Sequence, residues 1–302
     1  MNSYRGRFAP SPTGPLHFGS LVAAVSSYLD ARHNQGDWLL RMEDLDPPRE
    51  IPGAADDILR TLEALGMHWD GPVVYQSQRN HIYEEALANL QDSGDSYGCA
   101  CTRREIADSS MKAGSGHVYP GTCRSGITGG RRARSIRVQV YDRSITINDR
   151  LQDTLVQPLG RDVGDFIVRR ADNLFAYQLA VVVDDTEQEI SHVVRGADLF
   201  DSTPRQVHLQ QLLGYPQPAY LHLPVAVNSG NEKLSKQTHA QAINPGNWST
   251  TLCDVLAFLN QQLPGSVEDA SQEEFWQWAI KHWDTGSLPA TRSILAAPSY
   301  FR

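Results

Sequence analysis

Arg7-Phe8-Ala9-Pro10-Ser11-Pro12-Thr13-Gly14-Pro15-Leu16-His17-Phe18-Gly19-Ser20 is the stretch on which the architecture turns. Residues 4–9 read as a strand, the Pro/Gly cluster as a turn, and 16–29 as a helical pattern. A second strand-like run, 38–42, follows, then an acidic end and a helical pattern over 54–65. This alternation predicts a βαβ unit and a parallel sheet, an α/β fold. From Cys99 to about Asp162 the pattern breaks into short segments with turn residues, which predicts an insertion. Strand-like runs are expected at 166–169, 179–183, 190–194 and 220–227, with a helix over 203–213. After Gln237 helices are expected around 250–262 and 272–281, and the pattern then frays.

The length of 302 residues suggests two domains or one large one with insertions. The 40% hydrophobic and 21% charged residues, with 23 Gly and 17 Pro, argue against a disordered tail protein, a collagen and a coiled coil. Met1 to Arg7 contains no apolar segment of the secretory kind, and no run approaches the ~18 apolar residues of a membrane helix. The expectation is a cytoplasmic protein with no membrane partner.

The net charge of −8 argues against a protein that coats nucleic acid with its whole surface. Its distribution is uneven. Between Thr102 and Arg143 nine cations (Arg103, Arg104, Lys112, Arg124, Arg131, Arg132, Arg134, Arg137, Arg143) face three anions (Glu105, Asp108, Asp142), so a positive island sits on an acidic body. Such an island can meet phosphates at one place; a solvated loop with clustered arginines is the other reading.

Four cysteines occur, Cys99, Cys101, Cys123 and Cys253, and in a reducing compartment their crowding reads as metal binding before disulfide. Cys253 falls in a helical pattern and reads as a small core residue. Zinc needs a fourth ligand beside Cys99, Cys101 and Cys123. His117 and Tyr119 are the nearby donors, and on general grounds imidazole is the commoner choice. Three buried, unliganded thiols are the alternative.

Two motifs point to a nucleotide. Ligands of open α/β sheets bind at the carboxyl edge of the strands, where a helix amino end offers N–H groups to phosphate. Gly19, on the first helical turn, leaves the backbone bare for a flat purine, and His17 can reach the phosphates. Far downstream, Lys233-Leu234-Ser235-Lys236-Gln237 sits in a polar loop after a strand, where its two lysines can hold a triphosphate. Each motif alone is weak; the pair, on opposite halves of one α/β core, is the signal.

Here the sequence resembles the class I glutamyl-tRNA synthetases. Arg7–Gly19 is similar to their opening, His17-Phe18-Gly19-Ser20 stands where they carry HIGH, and Lys233–Gln237 stands where they carry KMSKS. Arg41-Met42-Glu43-Asp44-Leu45-Asp46, Val182-Val183-Asp184-Asp185, and His192–Leu199 with Ser202-Thr203-Pro204-Arg205-Gln206 match in order. Position 20 is Ser where the signature usually ends in His, and position 237 is Gln where the loop usually ends in Arg or Ser. The 65 residues after Gln237 are too few for the family's anticodon-reading domain. In this the chain resembles the shortened paralogues that attach glutamate to queuosine in the anticodon of tRNA(Asp).

The resemblance implies a Rossmann-like class I synthetase core in two halves, 1–98 and 163–237, around a zinc-containing insertion at 99–162. A short helical region at 238–302 follows, with no anticodon-binding domain. It implies ATP, L-glutamate and tRNA(Asp) carrying queuosine as partners, in a monomer. His17 and Lys236 would be the catalytic residues, and His17, Gly19, Ser20, Lys233, Ser235 and Lys236 would bind ATP with Mg2+. Arg7, Ser11, Glu43, Tyr177 and Arg195 would bind glutamate, and Cys99, Cys101, Tyr119 and Cys123 would hold one structural Zn2+. Two other functions stay open: a shortened enzyme that charges tRNA(Glu), and a non-catalytic glutamate or adenylate sensor.

Overall fold

A computed structural model of the chain describes residues 4–109, 111–113, 116–234, 241–263 and 270–297, with backbone only over 108–117. Strand β1 (Arg5–Phe8) leads into helix α1 (Phe18–His33), and the chain returns as β2 (Asp37–Met42), parallel to β1. Parallel neighbours need a crossover, and α1 supplies it. The helix starts at Phe18 because His17 and Ser20 cap it reciprocally. Ser20 N donates to His17 Nδ1 at 3.2 Å, and His17 N donates to Ser20 Oγ at 2.8 Å. Leu21, Val22, Ala24, Val25, Tyr28 and Leu29 are all buried, because the sheet packs on one side of α1 and carboxyl-terminal helices on the other.

Helix α2 (Ala54–Ala64) leads to β3 (Val74–Tyr75), which extends the layer in the order β1-β2-β3, and α3 (Asn80–Asp92) follows. The next stretch changes character. Strand β4 (Ser96–Cys99) is followed by α4 (Arg103–Ser109), the antiparallel pair β5 (Met111–Ala113) and β6 (Gly116–Val118), and β7 (Ser135–Val138). A further antiparallel pair, β8 (Ser144–Ile147) and β9 (Leu155–Pro158), and the short α5 (Leu159–Asp162) precede β10 (Phe166–Arg169). Strands β4, β7 and β10 form one antiparallel sheet.

Asp165, buried just before β10, ties this sheet to the segment around Tyr119. Its carboxylate accepts from Arg124 Nη2 at 2.5 Å, from Val140 N at 2.7 Å and from the Tyr97 hydroxyl, and its carbonyl accepts from Arg137 Nη1 at 2.6 Å. Gly164 has φ of +66°, and a Cβ there would lie 2.8 Å from the Tyr119 carbonyl oxygen. Conformation and space both require glycine.

Residues 179–183, expected as a strand, belong instead to helix α6 (Tyr177–Glu187). A short apolar run does not distinguish a strand from a helix enclosed on all sides, and Leu179 through Asp185 are buried without exception. Strand β11 (His192–Gly196) runs parallel to β12 (Ala219–Leu223), joined by α7 (Thr203–Leu213). Ser191 N donates to the Arg5 carbonyl at 3.0 Å, which sets β11 beside β1. The chain thus runs outward from the β1–β11 boundary in both directions, the arrangement that opens a crevice at the carboxyl ends of the strands.

The strand expected over 220–227 is broken at Pro224 into β12 and β13 (Val225–Val227). Helices α8 (Trp248–Phe258) and α9 (Gln272–His282) pack against α1. Residues 283–297 do not fray as expected. Strand β14 (Ser293–Leu295) pairs in parallel with β13, and buried Trp283 donates to Asp30 Oδ1 at 3.2 Å. Asp30, fully buried, also holds Arg150 through bonds of 2.6 and 3.0 Å and accepts from the Tyr4 hydroxyl, so one carboxylate joins three distant parts of the chain. None of the described helices is long and apolar enough to cross a membrane.

Candidate active site

The carboxyl edge of the parallel layer opens into a cleft of about 740 Å3. Arg7 reaches it from β1, Ser11 from the loop after β1, Glu43 from just beyond β2, Tyr177 from the first turn of α6, and Arg195 from β11. His17, Gly19, Ser20 and Lys233 line the same cleft. The structure therefore brings the five expected amino-acid-binding residues and the described part of the expected nucleotide site into one space.

The early and late motifs meet at Gly19. A Cβ there would stand 3.3 Å from the Leu234 carbonyl oxygen and 3.4 Å from the His17 ring. Ile243 N donates to the Leu16 carbonyl at 2.9 Å, and His17 bridges Ala242, so the chain after the late motif is also anchored to the early one. Lys233 Nζ lies 2.6 Å from Asp198 Oδ2, a partner the sequence reading did not anticipate. Ser235, Lys236 and Gln237 lie outside the described residues. Ser20 has a structural reason for its place, as one half of the α1 cap. Since His17 Nδ1 accepts from Ser20 N, a neutral ring carries its proton on Nε2, as a donor.

Beneath Arg7 lies a buried charge network that sequence reasoning missed. Arg7 Nε is 3.1 Å from Asp185 Oδ1, and the same oxygen receives Arg41 Nη2 at 2.8 Å. Arg41 is fully buried; its Nη2 also lies 3.5 Å from Glu43 Oε1. Asp184 flanks Arg41 from the other side, its Oδ2 3.8 Å from Arg41 Nε, and takes Gln76 at 2.7 Å, Arg79 at 2.7 Å and the Tyr83 hydroxyl at 2.8 Å. Burial alone would raise Asp185, but Arg7 and Arg41 hold its carboxyl below the usual range. Glu43 is pushed up by burial, which Arg41 and Arg7 only partly offset. The quoted blocks containing Arg41 and Asp184-Asp185 carried the only signal for this network; their pairing required the fold.

Arg195 is held differently. It is 5% exposed, and among the described residues no carboxylate pairs with it. Its donors go to neutral groups: Nε to His222 Nε2 at 3.0 Å, Nη1 to Tyr177 Oη at 3.3 Å, and Nη2 to Thr203 Oγ1 at 2.9 Å and Gln206 Oε1 at 2.7 Å. Burial pushes the His222 imidazole down to about 4, so it is neutral at physiological pH despite Asp149 alongside. Burial also raises the Tyr177 phenol, which stays a hydroxyl. A buried guanidinium without a counter-ion, facing a cleft, is suited to an incoming carboxylate.

At the end of β4, Cys99, Cys101 and Cys123 place their sulfurs within 4.8 Å of one another. The Tyr119 hydroxyl lies 3.4 Å from Cys99 Sγ and 3.5 Å from Cys101 Sγ, with the Arg137 guanidinium 3.9 Å from the centre of its ring. Three thiols and one phenol oxygen converge, and three close cysteines could hold a metal ion. The His117 side chain lies outside the described residues. The nearby positive island is thinner than its arginine count suggests: Arg131 pairs with Glu105 at 2.9 Å, Arg124 with Asp165 at 2.5 Å, and Arg137 is buried, while Arg103, Arg104, Arg132 and Arg134 are exposed.

Comparison with known proteins agrees with this fold. The family model of class I tRNA synthetases (E and Q), catalytic domain, matches residues 3–259. The glutamyl-Q tRNA(Asp) synthetase of Dechloromonas aromatica is 58% identical over 298 residues, covering 98% of this chain and 99% of that one. The protein of the same name from Chromobacterium violaceum is 55% identical over 287 residues, covering 95% and 96%. Among solved structures, the glutamate tRNA ligase of Elizabethkingia meningosepticum, in complex with its amino acid, superposes with a TM-score of 0.80 at 25% identity, covering 99% of this chain and 68% of that one. Fold, cleft and kinship together place the chain in the class I tRNA synthetases of the glutamyl and glutaminyl type, as a synthetase-like ligase of the glutamyl-Q tRNA(Asp) synthetase group.

Proposed function

We propose that this ligase activates L-glutamate with ATP and transfers it to queuosine in the anticodon of tRNA(Asp). The observation that carries the reading is Arg195, a buried cation bonded only to neutral groups, in the same cleft as the capped start of α1. Arg195 and Tyr177 receive one glutamate carboxylate, Arg7 and Ser11 the other, and Glu43 faces the ammonium. Neutral glutamine would leave a guanidinium unpaired, so the pocket selects against it. The attacking carboxylate is ionised at neutral pH and needs no general base. It attacks the α-phosphorus of ATP and forms glutamyl-adenylate as pyrophosphate leaves; Mg2+, bound with ATP, would add charge stabilisation on the phosphates. Catalysis is positioning and charge stabilisation. His17 Nε2–H and the α1 amino end hold the phosphates, Gly19 admits the purine, and Lys236, with Lys233 and Ser235, stabilises the departing pyrophosphate. A queuosine hydroxyl then opens the mixed anhydride and releases AMP.

Zinc is the metal suited to Cys99, Cys101, Tyr119 and Cys123, by the softness and number of the donors. Bound there, it would supply a structural cross-link. The names of the relatives support queuosine as acceptor, and exposed Arg103, Arg104, Arg132 and Arg134 supply charge for an RNA backbone. The sensor reading drew on Ser20 and Gln237; Ser20 serves the α1 cap, Gln237 lies outside the described residues, and glutamate-dependent exchange separates sensor from enzyme.

Charging of tRNA(Asp) with and without queuosine, beside tRNA(Glu), tests the proposal, with glutamate-dependent pyrophosphate exchange measured in parallel. Labelling of the queuosine-bearing tRNA alone is expected. Labelling of tRNA(Glu), or no exchange with glutamate, would overturn it.

A further inference from the structure

Behind the cleft, three groups from separate segments form a hydrogen-bonded line: Asp149 after β8, His222 in β12 and Arg195 in β11. His222 and Asp149 side chains are fully buried, with His222 Nδ1 2.6 Å from Asp149 Oδ2. Arg195 Nε can only donate, so His222 Nε2 must present a lone pair to it. The ring proton then sits on Nδ1, and Asp149 Oδ2 accepts it. The other carboxylate oxygen is already committed. Asp149 Oδ1 accepts from Leu151 N at 3.0 Å, Gln152 N at 2.9 Å and His222 N at 3.2 Å. The carboxylate therefore cannot rotate without orphaning three backbone donors.

We propose that Asp149 and His222 are positioning residues for the amino-acid substrate: together they fix the imidazole tautomer that accepts from Arg195 Nε and so orient the guanidinium that receives the substrate carboxylate. The proposal rests on the glutamate reading above. A guanidinium is planar, so the direction of its Nε–H, together with the Thr203 and Gln206 acceptors on Nη2, sets where the remaining N–H groups point. The segment that carries the cysteine cluster thus also reaches the substrate pocket, through Asp149.

The geometry makes Asp149→Asn a tautomer switch of unchanged shape. The three backbone N–H groups keep the asparagine oxygen in the Oδ1 position, which puts the amide NH2 opposite His222 Nδ1. Nδ1 must then accept and the ring proton moves to Nε2, where the Thr203 hydroxyl, 3.1 Å away, is the acceptor in reach, so Arg195 Nε–H loses its acceptor and faces a donor. His222→Gln is the complementary variant. Its amide oxygen reaches the Nε2 position and restores an acceptor for Arg195 without using Asp149.

The full chain and its Asp149→Asn, His222→Gln and Arg195→Lys variants are compared in glutamate-dependent ATP–pyrophosphate exchange, with 15N NMR of histidine-labelled protein reporting the ring tautomer. The His222 signal is identified by its loss in His222→Gln. The expected wild-type ring is Nδ1–H and the Asp149→Asn ring Nε2–H, with the variant's KM for glutamate up about tenfold or more. ATP KM and kcat stay within about twofold, the split of a lost ground-state contact, and His222→Gln lies nearer wild type than Asp149→Asn. A wild-type ring protonated on Nε2, or a flipped ring with unchanged glutamate KM, overturns the proposal. If Arg195→Lys also leaves the glutamate KM unchanged, the glutamate reading falls with it; if Arg195→Lys raises that KM and Asp149→Asn does not, the positioning proposal alone falls.

Discussion

Gly19→Ala separates the functional account of the early motif from a structural one, because the two predict effects of opposite sign. Gly19 has no positive φ, so alanine is conformationally allowed, and replacing Gly within a helix gains up to ~1 kcal/mol. The new methyl would stand 3.3 Å from the Leu234 carbonyl oxygen and 3.4 Å from the His17 ring, so the Leu234 backbone must give by a few tenths of an ångström. That displacement offsets part of the helix gain and leaves the melting temperature near or above that of wild type. The same displacement moves the Leu234 backbone away from His17, at the point where the two nucleotide-binding motifs touch. A misplacement of about 1 Å costs about 100-fold in such sites, so a few tenths is expected to cost about tenfold in kcat/KM for ATP. Thermal melting and glutamate-dependent pyrophosphate exchange are the two measurements. Exchange within about twofold of wild type at an unchanged melting temperature would refute the claim that the motifs act on one nucleotide through this contact.

Asp185→Asn should destabilise the fold by about 3 kcal/mol, the low end for a broken buried pair, since Arg7 loses its buried carboxylate partner while Arg41 keeps Glu43 at 3.5 Å and Asp184 at 3.8 Å. Because the folded-state value of Asp185 is depressed, its contribution is present above the unfolded value of about 3.9 and is lost as pH falls through the folded value. The wild-type melting temperature should therefore fall more steeply than that of Asp185→Asn in acid, and parallel curves would count against the network. The purified chain is expected to contain about one zinc, to melt lower after chelation, and to lose metal more readily as Tyr119→Phe. Metal analysis showing no zinc, with melting indifferent to chelators, would remove the cysteine cluster from the argument.

Several parts of the fold were legible because their cause is local. The Pro/Gly turn and the capped helix behind it, the β2 run, and α7 over Thr203–Leu213 each follow from side-chain period and turn chemistry within a few residues. Residues 179–183 were misread because five consecutive buried apolar positions carry no period; enclosure by α3, α7 and β10, which only the fold creates, decides that they are helical. The closing strand β14 was invisible for a related reason, since three residues become a strand only when β13 is there to pair with them.

By itself, the amino-acid order determined that a strand–turn–helix opens an α/β core, that early and late motifs recur in the order of a known family, and that three thiols cluster in one segment. Only the tertiary structure decided what each charged group does with its charge. It gave Arg7 a shared carboxylate in Asp185, gave Lys233 a partner in Asp198, and left Arg195 among neutral groups. It also placed Asp149 against His222 across a separation of 73 residues. Propensities and caps act over a turn or two of chain, whereas a buried charge takes its partner from whatever packing brings within about 3 Å, and packing is a property of the whole chain.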